Sequence, residues 1–535
     1  MKKGLSALLM ITISAFMLAG CMSIGVSKKS KVKLNAIIVK HPLTQDVAKM
    51  DWLKETEKNA GVEIEWQEVT SPDWEKVKQE LLFSGEIPDL IIGSYAITDA
   101  EFAQYPNLFQ DLTELIEKDG PNVQQMFQDK PETKVIATQL DGKIYGLPKY
   151  QPFGTETATR QFINKQWLDN LGLDVPTTWD ELFAVLVAFK ENDANGNGDP
   201  DDEIPMDFAP LGMGGFDFFH PTVMLGSVGI TITNGGGQGY FVEDGVVKNF
   251  FVDERVQELI KFLHKCWEVG VLTEDIISRD YALYQSVARG NGNTANVGFT
   301  WGWELSERFG NTLASQYVSM PSLQVSSSSD AQVSWSYDYY GLTYGANMVQ
   351  MSASAKDKDA AMKFINQLYD PIVSMQALFG SIGSNISDNG DGTYTVLPPE
   401  DLALDPATWK WTTTWGDKGP MYIPDTLHLT PSSDLEAIVD QTKPLKEALD
   451  SINKEKDVYP DIFIKYSPDD YYVLTQINTA LMNISMGAFG KWVTEGGMEK
   501  EWDTYVQQLE SIGISKTIDI MQRYYDEYQV NKIDF

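Results

Sequence analysis

Residues 193–205 carry oxygen-bearing side chains at the spacing of a calcium-binding loop. Side chains at alternate positions of a curled loop point toward one centre, and Gly198 stands at the sixth position, where such loops turn sharply. The candidate ligands are Asp193, Asn195, Asn197, Asp199, Asp201, Asp202 and Glu203. Many flexible oxygen donors suit calcium better than magnesium. We therefore predict a calcium ion with a structural role.

The end of this loop departs from an EF-hand. The twelfth position, which normally holds a bidentate Glu, is Ile204. Asp202 or Glu203 would have to complete the coordination shell. Asp199 would contribute its backbone carbonyl, and Asp201 stands at the ninth position. The alternative interpretation is an acidic turn, rich in Asn and Gly, that binds no ion.

Three aromatic clusters indicate a second kind of site, one that binds a sugar. A sugar presents an apolar C–H face and a rim of hydroxyl groups, so its site needs flat rings and polar side chains. The candidates are Trp301, Trp303 and Glu304 in the first cluster, Trp335, Tyr337, Asp338 and Tyr339 in the second, and Trp411 and Trp415 in the third. The two carboxylates, Glu304 and Asp338, would accept hydrogen bonds from hydroxyls.

Each aromatic cluster has an alternative interpretation as part of the hydrophobic core. Neighbouring side chains of a strand point to opposite faces, so we expect only about half of these residues to contact a ligand. We predict that replacing Trp301 or Trp303 by alanine abolishes sugar binding and leaves the fold intact.

The sequence carries no catalytic motif that would favour an enzyme. Neither a GxSxG elbow, nor a phosphate-binding GxxxxGK[ST] loop, nor an HExxH zinc motif is present. Glycoside hydrolysis needs only two carboxylates at a fixed spacing, and the 76 acidic residues leave that alternative open. We predict a binding protein rather than an enzyme.

The first residues predict an export signal and a lipid anchor. Lys2 and Lys3 precede an apolar run, residues 5–18, that is too short to span a bilayer. The tetrapeptide LAGC (18–21), which begins with the last residue of this run, is similar to the lipobox of bacterial lipoproteins, in which Cys21 would carry acyl chains such as palmitate. We expect residues 1–20 to be a signal peptide and residues 21–32 a tether. The alternative is an ordinary secreted protein with an incidental cysteine.

Composition limits the function further. The chain has 535 residues, which suits two lobes better than one compact core. Its formal net charge of −34 would repel phosphates, so nucleic acid is not an expected partner. Cys21 and Cys266 are the two cysteines, and lipid on the first leaves the second without a disulfide partner.

Strand and helix patterns alternate along the first part of the body. The hydrophobic pattern predicts a buried strand over residues 33–40, a helix over residues 47–60, and a second strand over residues 62–66. Residues 73–84 read as a helix before a third strand. This alternation predicts an α/β fold with mostly parallel sheets flanked by helices.

Several segments, in order, resemble the extracellular solute-binding proteins of family 1, which serve ABC importers. They are SGEIPDLI (84–91), DGKIYGLP (141–148), FINKQWLDNLGLDVPTTWDEL (162–182), SAKDKDAAMKFINQLYD (354–370) and WDTYVQQLESIGISKTIDIMQRYYDEY (502–528). The chain is most similar in type to the large members that bind oligosaccharides or alginate. Alginate-binding members carry a similar loop that holds structural calcium, and maltose-type members carry a tryptophan near residue 301.

The resemblance implies a two-lobed fold of the type II periplasmic-binding-protein class, hinged by crossing segments, with ligand in the cleft between the lobes. The implied division is 33–155 for lobe 1, 156–335 for lobe 2 with the calcium-like loop 193–205, 336–400 for a return to lobe 1, and 401–535 shared between lobes but mainly in lobe 2.

The implied function is capture of a carbohydrate, expected to be an oligosaccharide, and its delivery to the membrane permease subunits of an ABC importer. We expect a monomer on the extracellular face of the cell membrane. Binding of a peptide or a cationic solute, or presentation of ligand to a membrane sensor, remain alternatives.

Overall fold

The protein has two α/β lobes, each built on its own sheet, in a computed structural model that describes residues 31–210, 216–329, 331–401 and 404–532. The predicted signal peptide 1–20, Cys21 and all but the end of the predicted tether lie outside the described residues. In those described ranges, no helix has the length and apolar character needed to cross a membrane. The two-lobed α/β prediction is confirmed. The sheets are mixed rather than mostly parallel, because the two lobe sheets have three parallel and four antiparallel strand pairs among the described residues.

The strands are short except for β1, β2 and β11. Their bounds are β1 (Val32–Lys40), β2 (Val62–Thr70), β3 (Leu90–Ile92), β4 (Gly146–Tyr150), β5 (Arg160–Asn164), β6 (Ile204–Met206), β7 (Tyr240–Glu243), β8 (Val246–Asn249), β9 (Val297–Gly302), β10 (Tyr317–Ser319), β11 (Tyr344–Met351), β12 (Ile386–Asp388), β13 (Tyr394–Val396) and β14 (Leu429–Thr430).

Helices cover the sheets and make up most of the C-terminal part. Their bounds are α1 (Asp51–Ala60), α2 (Trp74–Ser84), α3 (Asp99–Gln104), α4 (Thr113–Asp119), α5 (Pro121–Asp129), α6 (Pro131–Ala137), α7 (Lys165–Leu171), α8 (Trp179–Glu191), α9 (Val256–Glu268), α10 (Tyr281–Ala288), α11 (Leu305–Leu313), α12 (Tyr339–Thr343), α13 (Lys358–Leu368), α14 (Pro371–Phe379), α15 (Pro406–Thr413), α16 (Ser433–Thr442), α17 (Lys446–Asp450), α18 (Pro468–Glu495), α19 (Met498–Ile512) and α20 (Ile514–Asn531).

The sheet of the first lobe has the order β2-β1-β3-β11-β4, in which β1 is parallel to β2 and β3, and β11 is antiparallel to its neighbours. Side chains of β1 alternate between two hydrophobic cores: Leu34 and Ile38 pack on one face, and Ile37 and Val39 on the other. Both faces are apolar because helices cover both.

The predicted helix over residues 47–60 starts later in the structure. Met50 has an extended backbone (ψ 110°), so the helix α1 begins at Asp51 and a single 3-10 turn precedes it. The strand β2 extends to Thr70, beyond the predicted residue 66, because it pairs with β1 over the full length of both strands.

The sheet of the second lobe has the order β10-β5-β9-β6. Its core includes buried residues of β5, β9 and α8, and the helix α9 contributes Leu259 and Leu263. The C-terminal part joins this core through buried residues between Leu445 and Ile514. Trp415, Tyr422 and Phe463 belong instead to the core of the first lobe.

Two segments connect the sheets, and the carboxylate of one residue links the two segments by hydrogen bonds. The chain leaves the first sheet after Tyr150 and enters the second at Arg160; it returns between β10 and β11. Asp338, which is 2% exposed, lies in the returning segment. Its Oδ2 accepts a hydrogen bond from the backbone N–H of Ala158 in the outgoing segment (2.8 Å), and its Oδ1 accepts from the N–H of Asn234 (2.8 Å).

Candidate functional site

A cavity of about 860 Å³ lies between the two lobes. It is mainly apolar and aromatic, with a few polar and charged side chains. Its lining residues are His41, Pro42, Leu43, Gln151, Phe153, Gly154, Phe219, Tyr281, Ala282, Gln285, Ser286, Arg289, Trp303, Glu307, Leu342, Leu378, Phe379, Lys410, Trp411 and Leu435.

The wall from the first lobe begins where two strands end. His41 directly follows β1, and Phe153 follows β4; these strands run in the same direction. Helices α14 and α15 contribute Phe379 and Trp411. The rings of His41 and Trp411 have centroids 4.6 Å apart, and those of Phe153 and Phe379 are 5.5 Å apart. This wall therefore presents paired rings.

The wall from the second lobe combines one half-buried indole with a helix face. Trp303 directly follows β9 and is half-buried. Tyr281, Gln285 and Arg289 are spaced four residues apart along and just beyond α10, so they project from one face of that helix. Glu307, from the first turn of α11, lies beside them.

Burial changes the protonation of the one carboxyl group among the lining residues. Desolvation raises the pKa of Glu307 to about 7, and the neighbouring Asp405 raises it too. The cations Arg308 and Arg289 act in the opposite direction, as does the hydrogen bond from Gln285. Glu307 therefore changes charge near neutral pH.

Of the nine residues predicted to contact ligand, Trp303 and Trp411 line the cavity. Trp301, Trp335 and Trp415 are 0%, 1% and 0% exposed, so they belong to the cores of the lobes rather than to the cavity wall. Trp301 lies within β9 and packs edge-on against Phe299 (4.8 Å between centroids). All of β9 is buried because helices cover both faces of this sheet.

The four remaining predicted residues do not line the cavity either. Glu304 is 3% exposed and caps α11 by accepting hydrogen bonds from the N–H groups of Ser306 (2.8 Å) and Glu307 (3.0 Å). Asp338 joins the connecting segments, as described above. Tyr337 is buried and Tyr339 is half-buried, and the centroids of their rings lie 6.3 Å apart.

Most of the cavity wall was missed by the sequence analysis. The missed aromatic residues are Phe153, Phe219, Tyr281 and Phe379, and the missed polar residues are His41, Gln151, Gln285, Ser286, Arg289, Glu307 and Lys410. The four-residue spacing of Tyr281, Gln285 and Arg289 is visible in the sequence and could have marked a helix face.

In the calcium-like loop, five of the seven predicted ligands converge. Asn195 donates from its backbone to Glu203 Oε1 (3.1 Å) and from its amide to Asp202 Oδ1 (2.7 Å). Asn197 donates from its amide to Asp202 Oδ2 (2.6 Å) and from its backbone to Asp193 Oδ1 (3.0 Å). The other two, Asp199 and Asp201, are exposed at the tip.

One oxygen of this loop has no partner among the described residues. Glu203 Oε2 is buried and makes no hydrogen bond, and desolvation raises the pKa of this carboxyl group. An unpaired buried carboxylate oxygen suits a cation. Across the described ranges, no three His, Cys, Asp or Glu side chains are grouped to hold a metal ion by themselves, so an ion here would also need the oxygens of Asn195 and Asn197.

Comparison with known proteins shows a family match over most of the chain. A family model described as "Bacterial extracellular solute-binding protein" matches residues 41–373. The curated protein FusA of Streptococcus pneumoniae, a fructooligosaccharide ABC transporter substrate-binding protein, is 28% identical over 499 residues, which cover 90% of this chain and 87% of FusA.

Solved structures share the fold over nearly the full length. An HMO-binding, ABC-transporter-associated solute-binding protein from Bifidobacterium longum infantis is 34% identical, with a TM-score of 0.84, over 93% of this chain and 99% of that one. The Streptococcus pneumoniae FusA "EF-hand mutant in complex with fructo-nystose" is 25% identical, with a TM-score of 0.82, over 94% of this chain and 100% of that one.

Proposed function

Because the chain belongs to the family of bacterial extracellular solute-binding proteins, we propose that it captures an oligosaccharide outside the cell and delivers it to the permease subunits of an ABC importer. The observation that carries this proposal is the aromatic lining of the interlobe cavity, with Trp411 from one lobe and Trp303 from the other. Indole rings on both walls match the two apolar faces of a sugar ring. The names of FusA and of the Bifidobacterium protein support the same class of ligand.

The size of the cavity favours an oligosaccharide over a monosaccharide. Ligand cavities of proteins span roughly 300–1,000 Å³, and the volume of about 860 Å³ lies toward the upper end of that range. A single hexose would leave much of this space unfilled.

The connection between lobes suits a protein that closes around its ligand. Rigid lobes joined by a few crossing segments move as hinged bodies, and a ligand that contacts both walls favours the closed state. The importer would distinguish loaded from empty protein by that change.

The cavity chemistry favours binding without catalysis. Glycoside hydrolysis by the usual route needs two carboxyl groups about 5–9.5 Å apart across the scissile bond. Among the described residues that line the cavity, Glu307 is the one with a carboxyl group.

The membrane anchor and the calcium ion are further parts of the proposal. Lipid on Cys21 would keep the protein beside its permease and raise its effective concentration there. Calcium would be held by Asp193, Asn195, Asn197, Asp202 and Glu203, and would replace their mutual hydrogen bonds with coordination. The protein would act as a monomer, since one chain supplies both walls of the cavity.

A thermal-shift screen across neutral and acidic oligosaccharides tests the function. A ligand stabilises the protein that binds it by about 2.7 kcal/mol at one hundred times its Kd. An oligosaccharide that raises the Tm and is recovered unchanged supports the proposal. New reducing ends during incubation would indicate an enzyme, and a screen in which no saccharide raises the Tm would contradict carbohydrate binding.

A further inference from the structure

Three polar side chains on the second-lobe wall form a connected group, which we call the polar triad: Gln285, Arg289 and Glu307. The amide of Gln285 donates to Glu307 Oε1 (3.0 Å). The guanidinium of Arg289 donates to the backbone carbonyl of Glu307 (2.6 Å). All three residues line the cavity. The triad is therefore held in place before any ligand binds.

Each member of the polar triad has one buried polar atom without a hydrogen-bond partner in the described part of the chain. These atoms are Gln285 Oε1, Arg289 Nε and Glu307 Oε2. A polar atom that is buried without a partner destabilises the fold, and such atoms are rare in folded proteins. Three of them in adjacent cavity-lining residues indicate a site whose partners come from a ligand.

The unpaired atoms comprise two acceptors and one donor. Two hydroxyl groups match this set, because a hydroxyl both donates and accepts a hydrogen bond. A carboxylate does not, because it brings no donor for Gln285 Oε1 or Glu307 Oε2 and would place a second negative charge beside Glu307.

The cations on the cavity wall are already neutralised, which further disfavours an acidic ligand. Arg289 lies 3.4 Å from Asp405 Oδ2, and Lys410 lies 3.8 Å from Asp434 Oδ2. Both of these carboxylates are buried, at 4% and 2% exposure. Each cation therefore has a nearby negative charge that a uronate would have to displace.

We infer that the polar triad is the subsite that binds two neighbouring hydroxyls of an uncharged sugar unit, and that it selects neutral oligosaccharides against uronates. This inference rests on the proposed function and adds the charge class of the ligand. The rings of Trp303 and Tyr281, which line the same wall, supply its apolar contacts.

The titration of Glu307 supports the inference. Burial raises its pKa to about 7. The charged and titratable groups that face it come from α10 and its end, from α11 and from the loop before α15: Tyr281, Tyr284, Arg289, Arg308 and Asp405. Hydroxyls that donate to the carboxylate stabilise its charged form, so a bound ligand lowers the pKa. The affinity for a neutral ligand should therefore rise with pH, over the range from below the pKa of Glu307 in the complex to above its pKa of about 7 in the free protein. The total rise should be tenfold for each unit by which ligand binding lowers this pKa.

The test is calorimetry on the full-length mature protein with nystose, maltotriose and lacto-N-tetraose as neutral probes and trigalacturonic acid as the acidic probe. We expect at least one neutral probe to bind and trigalacturonic acid to bind at least tenfold more weakly. Glu307→Gln and Gln285→Ala should each weaken the neutral complex about tenfold or more, as expected for lost hydrogen bonds to a charged or buried group. Glu499→Gln and Gln507→Ala, at exposed positions of α19, are matched controls that should bind like the parent.

The outcomes separate the inference from the function on which it rests. If a neutral probe binds but both triad variants bind like the parent, the triad is not the subsite, and the proposed function stands. Tighter binding of trigalacturonic acid than of every neutral probe overturns the charge class alone. If a triad variant fails to fold, the test is the pH dependence of binding by the unsubstituted protein. Its affinity for the neutral probe must rise between pH 5.5 and pH 8, and an affinity that does not change with pH overturns the inference. Binding of none of the four probes overturns both proposals.

Discussion

The guanidinium of Arg160 lies 5.3 Å from the centre of the Trp303 ring, and its Nη1 donates a hydrogen bond to the Trp303 carbonyl (2.8 Å). Arg160 is fully buried at the end of the segment that leads from the first lobe to the second. Its Nη2 also donates to Thr155 and Thr157 of that segment (3.0 and 3.1 Å). One side chain therefore joins the connecting segment to an aromatic ring of the cavity.

Arg160→Lys should reduce ligand affinity as well as stability. Lysine cannot form the planar set of hydrogen bonds that the guanidinium makes to several oxygens. We expect a loss of about 1–3 kcal/mol in the free energy of unfolding. Affinity for the oligosaccharide should also fall by about 1 kcal/mol, the cost of immobilising the freed Trp303 side chain on binding.

Chemical denaturation and calorimetry measure these two effects separately. Arg523→Lys is the matched control, because Arg523 pairs with Asp470 at the surface (2.7 Å) and neither residue lines the cavity. A variant at Arg160 that loses stability and keeps parental affinity would show that Trp303 is positioned without it.

Trp303→Ala and Trp411→Ala should each weaken oligosaccharide binding by about 2 kcal/mol or more, as for buried aromatic anchors of binding sites. Both should keep the parental unfolding free energy to within about 1 kcal/mol, because neither ring is in a lobe core. Tyr472→Ala, at a position 66% exposed, controls for loss of an aromatic ring. Parental affinity in both tryptophan variants would place the ligand elsewhere.

Trp301→Ala should act differently from its neighbour at Trp303. The ring of Trp301 is 0% exposed, so its removal leaves a cavity in the second lobe, at a cost of about 3–5 kcal/mol of unfolding free energy. Thermal unfolding measured without ligand checks this. A Trp301 variant with parental Tm and abolished binding would return this residue to the ligand site, as the sequence analysis predicted.

The contrast between Trp301 and Trp303 shows which features of the site could be predicted from the sequence. Alternation along a strand separates its two faces, as in β1, where the side chains of the two faces pack in two different cores. In β9 both faces are covered, so alternation could not identify an exposed side chain. What distinguishes Trp303 is its position just beyond the carboxyl end of the strand, where ligands bind in open α/β sheets.

Position after a strand end also explains why His41 and Phe153 line the cavity: they follow the carboxyl ends of β1 and β4. Strand ends could be predicted from the sequence only to within a few residues. At the end of a strand, a shift of a single position along the chain separates a side chain in the core from one in the cavity wall, so this uncertainty is too large to distinguish them. The helix face of Tyr281, Gln285 and Arg289 was visible as a pattern. Its orientation toward the other lobe depends on how the lobes pack, which no local pattern encodes.

Cys21→Ser should release the protein from the membrane. Without the thiol no thioether-linked lipid forms, and the acyl chains that would contribute about 0.8 kcal/mol per buried methylene are absent. Labelling of cells with a palmitate analogue, followed by separation of membrane from medium, measures both lipid and location. Cys266→Ser is the control and should remain labelled and membrane-bound, since Cys266 is buried in the second lobe. Equal labelling of the parent and the Cys21 variant would exclude this anchor.

Removal of calcium should lower the Tm, and its return should restore it. At a free concentration of one hundred times the Kd, a bound ion stabilises the folded state by about 2.7 kcal/mol. Glu203→Gln should abolish this response, because the unpaired Oε2 of Glu203 is the buried oxygen left for the ion. Asp391→Asn is the matched control: Asp391 lies in another Asn- and Gly-rich turn, where it accepts hydrogen bonds from Thr393 (3.0 and 2.7 Å). Calorimetry of chelator-treated protein that detects no calcium binding, together with an unchanged Tm, would favour the ion-free turn instead.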